Sequence, residues 1–192
     1  MESLLVSTGV VALAEMGDKT QLLAFLLAAR FKKPLPIILG ILFATILNHG
    51  LAGALGVWIT TVLNPEILRW LLGASFIAMA VWTLIPDKIE EDETKISSAL
   101  GVFGATFITF FLAEIGDKTQ VATVALAVHY SSAILVVAGT TLGMLIADIP
   151  AVFLGDKFAA KISMKWVHRI AAAIFFVLGI ATLLGTGSSL GF

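Results

Sequence analysis

Cysteine is absent from all 192 residues. This removes disulfides, thiolate metal sites and cysteine nucleophiles together, and it leaves the redox compartment open. Charge is nearly as scarce, at 13% of residues, against roughly 25% in a soluble domain. Histidine occurs three times, and only His49 falls inside an apolar stretch, which argues against a Cu⁺ site or a zinc-specific one. The net charge of −1 gives no case for a nucleic-acid partner. Apolar residues are abundant, at 59% of the chain with a mean hydropathy of +1.03. The chain therefore reads as an all-α integral membrane protein with the lipid bilayer as its surroundings.

Stretches long enough to cross a hydrocarbon core of about 30 Å, roughly 20 residues each, fall at 4–29, 35–62, 66–85, 98–128, 132–154 and 166–185. Arg30 to Pro34, Asn64-Pro65, the charged stretch from Pro86 to Lys95, His129 to Ser132, and Asp156 to Lys165 separate them. Leu4 to Ala14 ahead of Glu15 imitates a signal peptide. It has no basic leader, however, and its counterpart later in the chain is internal, so it reads as a true span.

Basic residues cluster in alternate loops. Arg30, Lys32 and Lys33 follow span one, Lys88 and Lys95 follow span three, and Lys157, Lys161, Lys165 and Arg169 follow span five. Only Arg69 lies on the other side, so both termini are expected outside the cytoplasm. Trp58, Trp70, Trp82 and Trp166 sit near span ends, where interfacial anchors belong.

Within this apolar chain one charged heptapeptide occurs twice. Glu15-Met-Gly-Asp18-Lys19-Thr20-Gln21 returns as Glu114-Ile-Gly-Asp117-Lys118-Thr119-Gln120, 99 residues later. The same register aligns Gly40 with Gly139, Phe76 with Phe175, Thr83-Leu84 with Thr182-Leu183, and His49 with Asp148. It divides the chain into a repeat at 1–86, an acidic cytoplasmic linker at 87–97, and a second repeat at 98–192, all within one transmembrane domain. Three spans per repeat force the second to enter from the opposite side. The expected fold is six transmembrane helices as two inverted three-helix repeats, with a site near the bilayer midplane.

An Asp or Lys at a helix centre costs about 2.5–3.5 kcal/mol, against roughly 0.3–0.6 gained per Leu, Ile, Phe or Val. Three such charges make span one marginal unless they are paired or neutralised. Pairing Glu15 with Lys19 and Glu114 with Lys118 at i, i+4 would leave both aspartates unpaired. On continuous helices Glu15, Asp18 and Gln21 share one face, as do Glu114, Asp117 and Gln120. Gly17 and Gly116 would let each helix bend or another backbone come close.

Asn48 and Asp148 would extend this oxygen-rich set, and Pro150 would open the helix beside Asp148. Clustered carboxylates and amides suit a hard divalent cation such as Ca²⁺, Mn²⁺ or Mg²⁺. Crowded carboxylates withdrawn from water can relieve their charge with a metal ion or with protons, which is the exchange a proton-coupled antiporter performs. Lys19 and Lys118 would tether the aspartates when no metal is bound, or be displaced as it arrives. Thr20 and Thr119 either donate to carboxylates or bond back to their own helices. His49 reads as a pore-side structural residue in preference to a ligand or proton relay, and His129 and His168 as interfacial residues.

Two E-x-G-D-K-[ST] motifs, one in each half of a six-span chain, resemble the GDT-type cation:proton antiporters, the calcium:proton antiporter-two group. Bacterial manganese exporters and organellar Mn²⁺/Ca²⁺ transporters belong to that family. The resemblance implies a secondary transporter that carries Mn²⁺ or Ca²⁺ against H⁺ and needs no cofactor. It makes Glu15, Asp18, Glu114 and Asp117 the metal-binding and proton-coupling acids, with Lys19, Thr20, Lys118 and Thr119 completing the motifs. The preference for manganese comes from the resemblance alone, as does placement in a bacterial inner membrane. Gln21, Gln120, Asn48 and Asp148 as metal ligands come from the residues alone. Two other readings compete with it. One is export of a cationic or zwitterionic organic solute, and the other an intramembrane hydrolase using paired acids.

Overall fold

The computed structural model describes residues 1–85, 100–130, 132–154 and 164–185. The acidic linker at 87–97 and the basic cluster from Asp156 to Lys161 lie outside the described residues. Among the described residues the secondary structure is helical. The helices are α1 (Glu2–Glu15), α2 (Lys19–Phe31), α3 (Pro34–Val62), α4 (Pro65–Thr83), α5 (Gly101–Glu114), α6 (Lys118–His129), α7 (Ala133–Leu154) and α8 (Met164–Leu184).

Local chemistry explains most boundaries. Lys32 adopts a left-handed conformation (φ 52°) that ends α2, and Pro34 opens α3 as its first residue. Asn64 caps α4 by accepting the Ile67 N–H at 2.9 Å, with Pro65 in the first turn. Pro150 lies inside α7, which continues past it to Leu154, so the expected opening of that helix does not occur.

Four helices, α3, α4, α7 and α8, are long and apolar enough to cross a membrane. The other four are short, with 14 residues each in α1 and α5, 13 in α2 and 12 in α6. At 1.5 Å per residue each spans only about 20 Å. The two stretches expected as continuous spans, 4–29 and 98–128, are therefore each broken in the middle. Both breaks fall inside the repeated motif.

The packing follows the 99-residue register. Helix α1 lies on α7 as α5 lies on α3, and α2 meets α7 as α6 meets α3. The equivalent long helices touch each other, α3 with α7 and α4 with α8. Phe76 and Phe175, one from each of α4 and α8, stack with ring centroids 6.4 Å apart. Small residues let the short helices come close. A Cβ at Gly40 would stand 2.7 Å from the Thr106 Cβ, and one at Gly139 would stand 2.9 Å from the Ser7 Cβ. Thr106 and Ser7 are themselves equivalent positions, so the same close approach is built twice.

The distribution of polarity is inverted relative to a soluble protein. Phe43, Leu51, Trp58, Phe153, Trp166 and Val177 face outward, while Glu15, Glu114, Lys118, Asn48, His49 and Asp148 are buried. Arg69 lies over the Trp70 ring and Arg169 over Trp166, pairing cations with outward-facing aromatics at helix ends.

Gly139→Val should therefore destabilise the protein by about 1–3 kcal/mol through overpacking of α1 on α7. Gly9→Ala, on the same α1 but with nothing within 4 Å of the added carbon, should leave the melting temperature in detergent unchanged or slightly raised. Equal shifts for the two variants would refute the close-approach account.

Candidate metal centre at two helix breaks

The repeated motif is a turn between two helices. Met16 (φ −61°, ψ 117°) and Gly17 (φ 81°) follow Glu15, the last residue of α1, and the Asp18 N–H donates back to the Glu15 carbonyl at 3.0 Å. The second copy repeats this with Ile115 (φ −64°, ψ 118°), Gly116 (φ 76°) and an Asp117 N–H bonded to the Glu114 carbonyl at 3.2 Å. These angles define a type II β-turn, whose third residue needs positive φ and hence glycine. The expectation that Glu15, Asp18 and Gln21 share a continuous helical face is overturned. Spacing of i, i+3 fits a four-residue turn as well as a helix, and here the turn wins in both copies.

Aspartate starts the next helix in each copy. Asp18 and Asp117 are the N-cap residues of α2 and α6, and Asp18 Oδ1 accepts the Lys19 N–H at 2.8 Å. The positive end of a helix dipole favours a carboxylate there. Gln21 and Gln120 brace the turns. Their Oε1 atoms accept the Gly17 and Gly116 N–H groups at 3.1 and 2.8 Å. Their amide nitrogens reach across to the long helices, Gln21 to the Ala147 carbonyl at 2.8 Å and Gln120 to Asn48 Oδ1 at 3.4 Å. Asn48 in turn donates to the Phe111 carbonyl at 3.0 Å.

The turns bring the acids together. Glu15 and Glu114 are completely buried, and Asp18 and Asp117 nearly so. Glu15, Glu114 and Asp117 each offer an oxygen within 4.8 Å of the other two. The Thr20 hydroxyl donates to Glu15 Oε2, and the Thr119 hydroxyl donates to Glu114 Oε2 at 3.2 Å. That settles the threonines as donors to carboxylates. Oε1 of each glutamate has no hydrogen-bond partner among the described residues. Ligand atoms about 2.1–2.6 Å from a divalent ion lie about 3–5 Å from one another, and oxygens within 4.8 Å of each other are close enough to share one ion.

Lys118 is fully buried, and its Nζ lies 2.8 Å from Asp18 Oδ2 in the other half of the chain. The local pairing of Glu114 with Lys118 weighed from sequence is thus replaced by a pair that links the two motifs. Lys19 is half-buried.

Two residues of the long helices complete the surroundings. His49, on α3, is fully buried with its Nε2 3.9 Å from Glu114 Oε2. Asp148, its equivalent on α7, is fully buried with neither oxygen hydrogen-bonded among the described residues. Sequence reasoning missed His168, whose Nε2 lies 2.8 Å from the Met16 carbonyl at the first turn. No local signal marks it, because the contact joins residues 152 apart. His129 packs edge-on against Phe76, with ring centroids 5.8 Å apart.

The description "Divalent cation/proton antiporter GDT1" belongs to the family model that matches this chain twice, over residues 3–91 and 102–189. A Vibrio cholerae protein named "Putative manganese exporter" is 49% identical over 183 residues, covering 95% of this chain and 90% of that protein. GDT1-like protein 3 of Oryza sativa is 29% identical over 207 residues, covering 94% of this chain and 73% of the rice protein. GDT1-like protein sll0615 of Synechocystis is 29% identical over 195 residues, covering 90% and 92%. No solved structure matches the chain.

An added carbon at Gly116 would meet nothing within 4 Å, so its substitution tests the turn and not the packing. Gly116→Ala should cost roughly 1–2 kcal/mol of stability through left-handed backbone strain. Gly116→Asn should cost less, because asparagine accepts that conformation more readily. Thermal unfolding of the two variants in detergent checks the order; alanine tolerated as well as asparagine would contradict the turn assignment.

Proposed function

The chain belongs to the GDT1 family of divalent cation/proton antiporters, and from that premise we propose that it carries Mn²⁺ out of the cytoplasm in exchange for protons. A family of cation/proton antiporters is one of secondary transporters and not of enzymes. The manganese assignment follows the similarity to the Vibrio protein. The single observation that carries the mechanism is the convergence of Glu15, Glu114 and Asp117 from two separate helix breaks.

In this reading the two halves are inverted three-span repeats, residues 1–86 and 98–192, joined by the acidic linker at 87–97. Helices α1 and α2 together make the first span, and α5 and α6 together make the fourth. The symmetric packing of α1 on α7 and α5 on α3 supports that arrangement. An even number of spans places both termini on one side, and the basic loops, taken as inside, put that side outside the cytoplasm of a bacterial inner membrane. The centre then lies between the repeats, and opening to either face alternates access to it.

Each motif residue takes a distinct part. Glu15, Glu114 and Asp117 hold the ion, and Asp18 joins them when Lys118 releases it. Buried carboxylates that lose a cation are left with uncompensated charge. Protons entering from outside, or the lysine swinging back, remove it. Metal and protons thereby compete for one set of oxygens, which is the condition for exchange. Gln21, Gln120 and Asn48 hold the turns in place, and Asp148 enlarges the acidic surroundings. Three carboxylate oxygens within 4.8 Å of one another suit a single small cation.

Mn²⁺ flux into proteoliposomes under an imposed pH gradient should be present in the natural protein. It should fall by at least about 100-fold in Glu15→Gln and in Glu114→Gln, each of which removes a group acting with the others. Gradient-driven flux that survives both substitutions would refute the proposed centre. The cysteine-free chain also suits single-cysteine labelling. A cysteine at Lys33 should react with membrane-impermeant maleimide only from the cytoplasmic side, and one at Asn64 only from outside. Labelling of both positions from one side would overturn the proposed topology.

A further inference from the structure

The two motifs are chemically identical at their acids, glycines, lysines, threonines and glutamines, but the long helices beside them are not. Position 49 on α3 is histidine, where the equivalent on α7 is Asp148, and position 48 is asparagine, where the equivalent is Ala147. The imidazole of His49 is fully buried, and neither ring nitrogen has a hydrogen-bond partner among the described residues. Its Nε2 lies 3.9 Å from Glu114 Oε2, one of the converging carboxylates. A buried imidazole serving only structure is normally hydrogen-bonded. This one instead stands unbonded, at ligand-to-ligand distance from a carboxylate that offers a free oxygen.

The difference between oxygen and nitrogen donors separates the candidate ions. Ca²⁺ and Mg²⁺ take oxygen ligands and gain little from imidazole. First-row transition ions, Mn²⁺ included, accept mixed oxygen and nitrogen sets, with affinity rising toward copper. A single nitrogen among carboxylates discriminates against the abundant hard cations. It does not create the soft, nitrogen- or sulfur-rich site that would hold Zn²⁺ or Cu⁺ against release.

We propose that His49 is the specificity-determining residue of the transport site, donating a ring nitrogen to the ion and so selecting a transition-metal ion such as Mn²⁺ over Ca²⁺ and Mg²⁺. This rests on the carboxylate centre proposed above. It makes the two halves of the site unequal: an oxygen donor at Asp148 stands where the other half supplies nitrogen.

Pulsed electron paramagnetic resonance of Mn²⁺ bound to the detergent-purified protein reads the contact directly. The natural protein should show ¹⁴N modulation from a coordinated imidazole, and His49→Gln should bind Mn²⁺ without it. In proteoliposomes the Ca²⁺ concentration that halves Mn²⁺ flux should fall by about tenfold or more in His49→Gln, a change in relative affinity worth about 1.4 kcal/mol. His49→Asn gives a second variant should the glutamine not insert, and size-exclusion profiles report folding in both. Absence of nitrogen coupling in the natural protein would overturn the proposal, as would unchanged Ca²⁺ competition in a variant that still transports. Failure of the underlying centre looks different: Mn²⁺ flux would then be absent from the start, or indifferent to Glu15→Gln.

Discussion

Charge taken out of water has to be answered by opposite charge or by hydrogen bonds, and the arrangement of the described helices follows from that requirement. Four acids and a lysine are buried at the motifs. Isolated in an apolar span, each would cost several kcal/mol. Gathered at one centre, the acids repel one another, and what answers them is a cation, a proton or the buried lysine. The pair between Lys118 and Asp18 crosses from one motif to the other, so neither motif is satisfied alone. Removing one partner of a buried ion pair commonly costs about 3–5 kcal/mol.

The helix breaks make that gathering possible. A continuous helix satisfies its own backbone and presents side chains around its circumference. A type II turn instead ends one helix and starts another within three residues, exposing a carbonyl end at Glu15 and an amide end at Asp18. Opposite partial charges then meet at the place proposed to bind the ion. Backbone groups freed at such a point must still be bonded in an apolar medium. The glutamines perform this service, accepting the Gly17 and Gly116 N–H groups while anchoring to α7 and α3. Residues expected as ligands by type thus also brace the turns by position.

What could be read from the sequence divides along physical lines. Membrane character, the long helices and the duplicated acids were legible, because apolar length and an exact repeat of charged residues are strong one-dimensional signals. The boundaries of α3, α4 and α7 agree with the expected spans to within a few residues. The breaks were missed although their punctuation was present. Glycine as a helix stop, aspartate as an N-cap, and glutamine three residues after it form a recognisable stop and start. Hydropathy ran through them unchanged, and the i, i+3 spacing of acids favoured a helical reading. The pairing of Lys118 with Asp18 and the contact of His168 with Met16 are three-dimensional facts. They depend on which helices become neighbours, and no spacing in the chain encodes that.

Duplication supplies symmetry, but transport in one direction benefits from its imperfection. Two identical halves around a centre would face either side of the membrane with equal readiness. Here the equivalence fails at particular places. His168 holds the Met16 carbonyl at 2.8 Å, while its counterpart in the other half is Arg69, an exposed residue on α4 lying over Trp70. His49 faces Glu114 where the other half carries Asp148. Each difference gives one half a contact that the other does not make in the same form. On the proposed reading, the two access states are then unequal in energy even though the acids that bind the ion are duplicated. On that reading the repeated motif builds the centre, and the unrepeated residues around it set which ion it prefers and which face it favours.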